Sequence, residues 1–174
     1  MSRNDEIGPA AAAVANDRYR VPKVQVPLWL VLDGGGALEG EVHLLPVAGV
    51  HSGRERVIDL LAAEQAHFLP VSLPDRVRLV HRSRILLAGV EDPYDAGLEA
   101  DASVESREVR VELELKGLEA PANRIAGKIQ IVMPPGSQRL VDYLNQPAPF
   151  FALWSDDKGL VLVNKSFVVD AVLF

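Results

Sequence analysis

The 174-residue chain contains no cysteine, which excludes disulfides, thiol nucleophiles and thiolate-bound metal, and is compatible with a reducing compartment. Long hydrophobic runs are also absent. Apolar residues reach 48%, yet no run approaches the about 20 residues that cross a bilayer, so a soluble, globular, cytoplasmic protein without a membrane span is expected. Asp5 and Glu6 precede the short apolar stretch from Ala10 to Ala15, and no basic segment leads into a hydrophobic one, which is not the pattern of a secretory signal. Familiar site motifs are missing too. Asp33-Gly34-Gly35-Gly36 lacks the Lys and Ser/Thr of a phosphate-binding loop, and His43, His51, His67 and His81 show no i, i+4 pair suited to a helical metal site. No catalytic residue, cofactor or metal is therefore expected.

The net charge of −6 is unevenly distributed. Residues 91–108 carry 7 acidic groups against 1 basic, whereas residues 19–90 carry 7 against 8 and residues 109–174 carry 7 against 7. With Pro93 and Gly97 and little apolar content, 91–108 reads as a solvated acidic linker. Residues 1–20 read as a flexible tail.

What the chain does have is an internal duplication. Val109-Arg-Val-Glu-Leu-Glu-Leu-Lys-Gly117 repeats the apolar beat and closing glycine of Val26-Pro-Leu-Trp-Leu-Val-Leu-Asp-Gly34 at an offset of 83. The same offset carries Val57-Ile-Asp-Leu-Leu61 onto Leu140-Val-Asp-Tyr-Leu144, Phe68 onto Phe151 and Val77-Arg-Leu-Val80 onto Leu160-Val-Leu-Val163. Between these anchors it moves to 87, where Gly40 matches Gly127, as expected when one copy lengthens its first loop and the other its second. Two repeats follow, at residues 21–90 and 109–174, each near the size at which an isolated core is marginal, so they are expected to pack together.

Within each repeat the pattern predicts two strands, a short helix and three more strands. Val109, Val111, Leu113 and Leu115 alternate with charged residues, the period-two mark of a strand with one buried face. Ser52 and Glu55 have capping-box spacing ahead of Val57, Ile58 and Leu61, and Ser137 offers a simpler cap ahead of Leu140. The final strands are placed at Ser83–Leu87 and Ser166–Leu173. A mainly β fold is expected: two tandem copies of a small five-stranded antiparallel barrel, each with a short helix inserted after the second strand. The strand spacing, the turn glycines and the closing His81-Arg-Ser-Arg-Ile85 resemble Sm-like and SH3-like barrels, except that the helix lies within the unit. The segment 139–145 followed by Pro149-Phe-Phe151 also resembles short uncharacterised bacterial domains, which implies no mechanism.

Function is sought where the repeats disagree. The outward face of the first strand carries Pro27, Trp29 and Val31 in one copy but Arg110, Glu112 and Glu114 in the other; later, Arg78 and Arg84 face Val161 and Phe167. Trp29, Val31, Val161 and Phe167 are thus the candidate protein interface, meeting within one chain or head to tail between chains. Arg76, Arg78, His81, Arg82 and Arg84 form the one concentrated basic segment, a candidate anion or nucleic-acid contact; no aromatic residue interleaves with them for base stacking. Asp59 and Asp142 recur between apolar helix positions and are expected to face water, and Ser83 and Ser166 recur as turn residues. The expected function is a non-catalytic scaffold, adaptor or assembly subunit with a protein partner or self-association. An RNA- or DNA-binding module and a small-molecule sensor with a pocket between repeats are the alternatives.

Overall fold

A computed structural model of the chain describes residues 22–49, 51–98, 106–134 and 139–174. The expectations for the tail, for residues 99–105 of the linker and for Ser137 lie outside the described residues.

The first repeat contributes β1 (Val24–Leu32), β2 (Ala37–Leu44), α1 (Val57–Ala62), β3 (Phe68–Ser72), β4 (Val77–His81) and β5 (Ile85–Gly89). The second contributes β6 (Ser106–Leu115), β7 (Arg124–Val132), α2 (Leu140–Leu144), β8 (Phe150–Ser155), β9 (Gly159–Asn164) and β10 (Val168–Leu173). All ten strands form one antiparallel sheet in the order β10-β6-β7-β8-β9-β5-β1-β2-β3-β4. Each repeat therefore has the same internal order, with its last strand beside its first. The two are joined where β9, the fourth strand of the second, pairs with β5, the fifth of the first.

The repetition extends to irregularities. Val31 lies opposite Leu87 and Leu32 opposite Ile85, skipping one residue, and the same slip recurs with Glu114 opposite Asp170 and Leu115 opposite Val168. β2 touches β3 through the single pair Glu41 and Ser72, and β7 touches β8 near Gly127. A Cβ on Gly40 would stand 2.6 Å from the Ser72 carbonyl oxygen, and one on Gly127 would collide with that of Trp154. Glycine at both positions lets one strand's backbone close onto the next.

Alternation decides burial as the sequence predicts: Val109, Val111, Leu113 and Leu115 are buried, while Arg110 is exposed. Two hydrophobic clusters result. The first centres on Leu30, Val42, Val57, Leu69 and Ile85, the second on Val111, Leu113, Ile129, Phe151 and Val163. The helices, at two turns or fewer, are held by burying Val57 and Leu61 in the first cluster and Leu140 in the second.

Three local expectations are corrected. The first helix is capped by Arg56, not Ser52: the Asp59 carboxylate accepts from the Arg56 backbone N–H at 3.1 Å and from its Nε at 2.9 Å, while Glu55 accepts from the N–H of Leu45. Asp59 is consequently half-buried rather than solvated. The last strands begin at Ile85 and Val168, because Arg82–Arg84 and Lys165–Phe167 form 3-10 turns. His81 Nδ1 accepts from the Ser83 N–H, and Asn164 Oδ1 accepts from that of Ser166. The acidic stretch also starts folded: Pro93–Ala96 is a 3-10 turn whose Asp95, 1% exposed, takes a bidentate pair from Arg54 at 2.6 and 2.9 Å. The Tyr94 hydroxyl donates to the Arg54 carbonyl at 2.7 Å. One partner in the preceding loop satisfies what composition alone marks as a water-seeking charge.

Candidate functional site

The joint between the repeats defines what an edge of this fold does when covered. Leu87 lies opposite Val163, Ala88 opposite Leu162 and Gly89 opposite Val161, with a further bond from the Val90 N–H to the Leu160 carbonyl at 3.1 Å. Side chains cross over between the cores. Val161 and Val163 enter the second cluster beside Leu86 and Leu87 of the other repeat, whereas Leu160 and Leu162 enter the first beside Ala88. Burying Leu160 and Leu162 contributes about 3–6 kcal/mol. Asn164, 5% exposed, adds a cross-joint bond, its Nδ2 donating to the Ile85 carbonyl at 2.8 Å.

Around this joint lie the interface residues expected from the sequence. Trp29 and Val31, half-buried, pack against the cluster that contains Val161 and Phe167. The Trp29 indole occupies the space a Cβ on Gly89 would need. Val161 and Phe167 are buried inside the chain and meet no external partner, whereas Trp29 and Val31 stay partly open; more fully exposed apolar side chains lie elsewhere.

Two elsewheres are evident, at the ends of the sheet. β4 and β10 are its outer strands, and among the described residues each pairs with a neighbour on one side alone. They are the repeat equivalents of β9 and β5, the two strands that make the joint. Leu79 is 63% exposed where its equivalent Leu162 is 0%, and Val77 is 61% exposed where Leu160 is 4%. On β10, Val169 is 62% exposed where Leu86 is 0%. Phe68, on β3 beside β4, is likewise exposed where Phe151 is buried. Apolar side chains whose repeat equivalents are buried in or beside the joint are thus present at both outer edges, with nothing among the described residues covering them. Sequence comparison pointed at positions of opposite polarity and passed over these, because Leu79 and Leu162 look alike. Only their neighbours differ.

The basic segment does not form one surface. Arg76 and Arg78 are exposed, Arg76 within 3.6 Å of Asp75. Arg84 pairs with Asp33 at 3.5 Å and donates to its carbonyl, and His81 caps a turn. Arg82 is buried, its guanidinium donating to the Ala63 carbonyl, and burial pulls its pKa below the usual value. A phosphate track along 76–84 is therefore interrupted at its centre.

The recurring carboxylates sit on separate helices and do similar work. Arg139 Nε donates to Asp142 at 2.7 Å, as Arg56 does to Asp59, and that bond holds the Asp142 carboxyl below the usual carboxylate range. Asp59 has one further partner that the sequence reading missed: His51 Nε2 lies 2.7 Å from its Oδ2. The hydrogen bond to Asp59, then that to the Ser52 carbonyl, raises the His51 pKa. A loop residue eight positions before a helical one has no periodic signature, so spacing gave no sign of it. Among the described residues no group of three or more His, Asp or Glu side chains is placed to hold a metal ion.

Clefts adjoin the joint on several sides. One of about 680 Å³ lies between Trp29 and Trp154, lined also by Glu39, Glu91 and Lys158. Another, of about 690 Å³, is lined by Val31 and Leu87 of one repeat and Leu118 and Ile125 of the other. A third, of about 330 Å³, lies between the repeats beside Asp59, Tyr143 and Lys165, where Asp59 is engaged by Arg56 and His51 and Lys165 by the Gln146 carbonyl at 2.8 Å. No family model, curated protein or solved structure matches the chain.

Proposed function

We propose that the chain is a non-catalytic assembly subunit or scaffold, two small barrels of Sm-like or SH3-like type in tandem, that binds protein partners by strand addition at its outer edges. The repeated strand order and the close approaches at Gly40 and Gly127 support the tandem-barrel reading. The observation that carries the functional reading is the exposure of Leu79, Val77 and Val169 on the two outer strands, whose repeat equivalents β9 and β5 are buried in a strand-to-strand joint. An open strand offers a row of free N–H and C=O groups, and apolar side chains beside it give an incoming strand something to bury. Of the arginines in 76–84, Arg82 is buried and the exposed Arg84 is held by Asp33, which leaves Arg76 and Arg78 as a short exposed pair and favours protein over nucleic acid as the partner.

Photo-activatable residues placed singly at Leu79, Val169 and, as a control on the joint's solvent face, Lys158 test this in the native cell. Protein adducts at Leu79 or Val169 and none at Lys158 are expected. Adducts to nucleic acid alone, or none at either edge, would overturn the proposal.

A further inference from the structure

We propose that the cleft between Trp29 and Trp154 binds a small molecule carrying an alkylated ammonium, with its methyl groups against the two indoles and its charge facing Glu39 and Glu91. This site lies at the joint, away from the outer edges, and stands or falls independently of strand addition there. It belongs to neither repeat alone. The first repeat supplies Trp29 from β1, Glu39 from β2 and Glu91 just after β5, whereas the second supplies Trp154 from β8, Lys158 from the following turn and Leu160 from β9. Its volume of about 680 Å³ is within the range of small-molecule sites.

Strand register sets the first wall. Trp29 stands in register between Glu39 on β2 and Gly89 on β5. A Cβ on Gly89 would collide with the indole, so glycine there lets the ring lie across the β5 backbone. On the side of the second repeat, Trp154 pairs with Leu160 and keeps 41% of its surface open. The face of an indole attracts cations more strongly than that of any other aromatic side chain. Glu39 and Glu91 are exposed, and among the described residues no cation pairs with either. The neighbouring ammonium groups are engaged elsewhere: Lys158 lies 3.0 Å from Asp157, and Lys128, in register with Trp154, lies 3.1 Å from Glu108.

An anion would be repelled by these carboxylates, and a hydrated metal ion would gain nothing from the indoles. An alkylated ammonium uses both, because its charge is spread over apolar methyl groups. The second repeat shows that the fold does not require the four residues. Glu112 stands at the equivalent of Trp29, Phe174 at that of Glu91 and Val71 at that of Trp154, and the offset of 87 places Ala126 at that of Glu39. Four departures from the repeat thus fall together in one cleft.

The 2 tryptophans of the chain are the two that line the cleft, so intrinsic fluorescence reads the site without a label. Choline is titrated into the full-length chain beside 3,3-dimethyl-1-butanol, its neutral carbon isostere, with sodium chloride as the ionic control. A saturable change with a midpoint of about 1 mM or lower is expected for choline, about tenfold tighter than for the isostere, and none for sodium chloride. Glu39→Gln and Glu91→Gln should each weaken choline binding about two- to fivefold and leave the isostere unaffected. Trp154→Leu should weaken choline binding more than either, with Trp29 still reporting. Glu39, Glu91 and Trp154 are exposed, so an unchanged circular dichroism spectrum and Tm establish that each variant folds. An isostere that binds as well as choline overturns the inference on the wild type alone, as does the lack of a saturable change by about 10 mM choline. Folded carboxylate variants that bind choline as the wild type does overturn it equally.

Discussion

Leu162 and Leu79 occupy the same place in the two repeats, one covered and one bare, so truncating each to alanine measures what the joint contributes. Leu162 is 0% exposed, between Ala88 of the neighbouring strand and the first hydrophobic cluster. Replacing its isobutyl side chain by a methyl deletes transfer energy and leaves a cavity, about 2–5 kcal/mol. For a chain of this size that corresponds to roughly 5–15 °C in Tm. Leu79 has 63% of its surface in water, so its truncation in the single chain should fall within about 0.5 kcal/mol of neutral. Thermal and urea unfolding at a concentration low enough to dissociate assemblies gives both values. The reasoning fails if Leu79→Ala at dilution destabilises as much as Leu162→Ala, which would mean that the single chain covers its own edge. It fails equally if Leu162→Ala is neutral.

Asp95→Asn removes the charge from a buried bidentate pair and leaves the Arg54 guanidinium with the exposed Asp92, 3.7 Å away, as its remaining carboxylate. Arg54 keeps 24% of its side chain exposed, so the expected loss is about 2–4 kcal/mol rather than the deep-interior figure, read from the urea midpoint; a loss under about 0.5 kcal/mol would show the pair to behave as a surface one. The His51 contact gives a pH signature. Its folded pKa is raised by Asp59 and Ser52, so its contribution is complete below the ordinary imidazole value of about 6.5 and is lost as pH rises through the folded value. The stability difference between wild type and His51→Gln should therefore shrink with rising pH across that range, and a difference that is flat or grows contradicts the pairing.

Strand positions were legible because β6 and its equivalent obey a period of two that burial then enforces, and the constant offset carried each assignment from the clearer copy to the other. The short helices were legible for the same reason, though not their caps. Arg56 was passed over as a cap because arginine has no capping propensity of its own; it serves because Asp59 reaches back to its backbone and side chain together. Strand order was not legible. Nothing in Leu160-Val-Leu-Val163 distinguishes a strand buried on both faces at a joint from Val77-Arg-Leu-Val80 at an open edge, except the single change from valine to arginine. Sequence comparison found that change and assigned Arg78 to a basic surface. The fold gives it a different context, since Arg82, four residues on, is buried and Arg84 is held by Asp33.

That single change also bears on how the outer edges avoid the strand contact that the joint makes. The β5 and β9 strands are tethered in one polypeptide, so their encounter is intramolecular and apolar residues on both are sufficient to hold it. The free edges have no such advantage and would be equally sticky toward each other, toward a folding intermediate's β5 or β9, and toward unrelated strands. An arginine at one edge and an aspartate at the other remove most of those choices. β4 brought against the joint strand β5 would bury Arg78 unpaired beside apolar neighbours, and β10 brought against β9 would do the same to Asp170. The duplication therefore sets a requirement that apolar packing by itself cannot meet, and Arg78 and Asp170, the two positions at which the edges depart from the joint, meet it by making the wrong pairings costly.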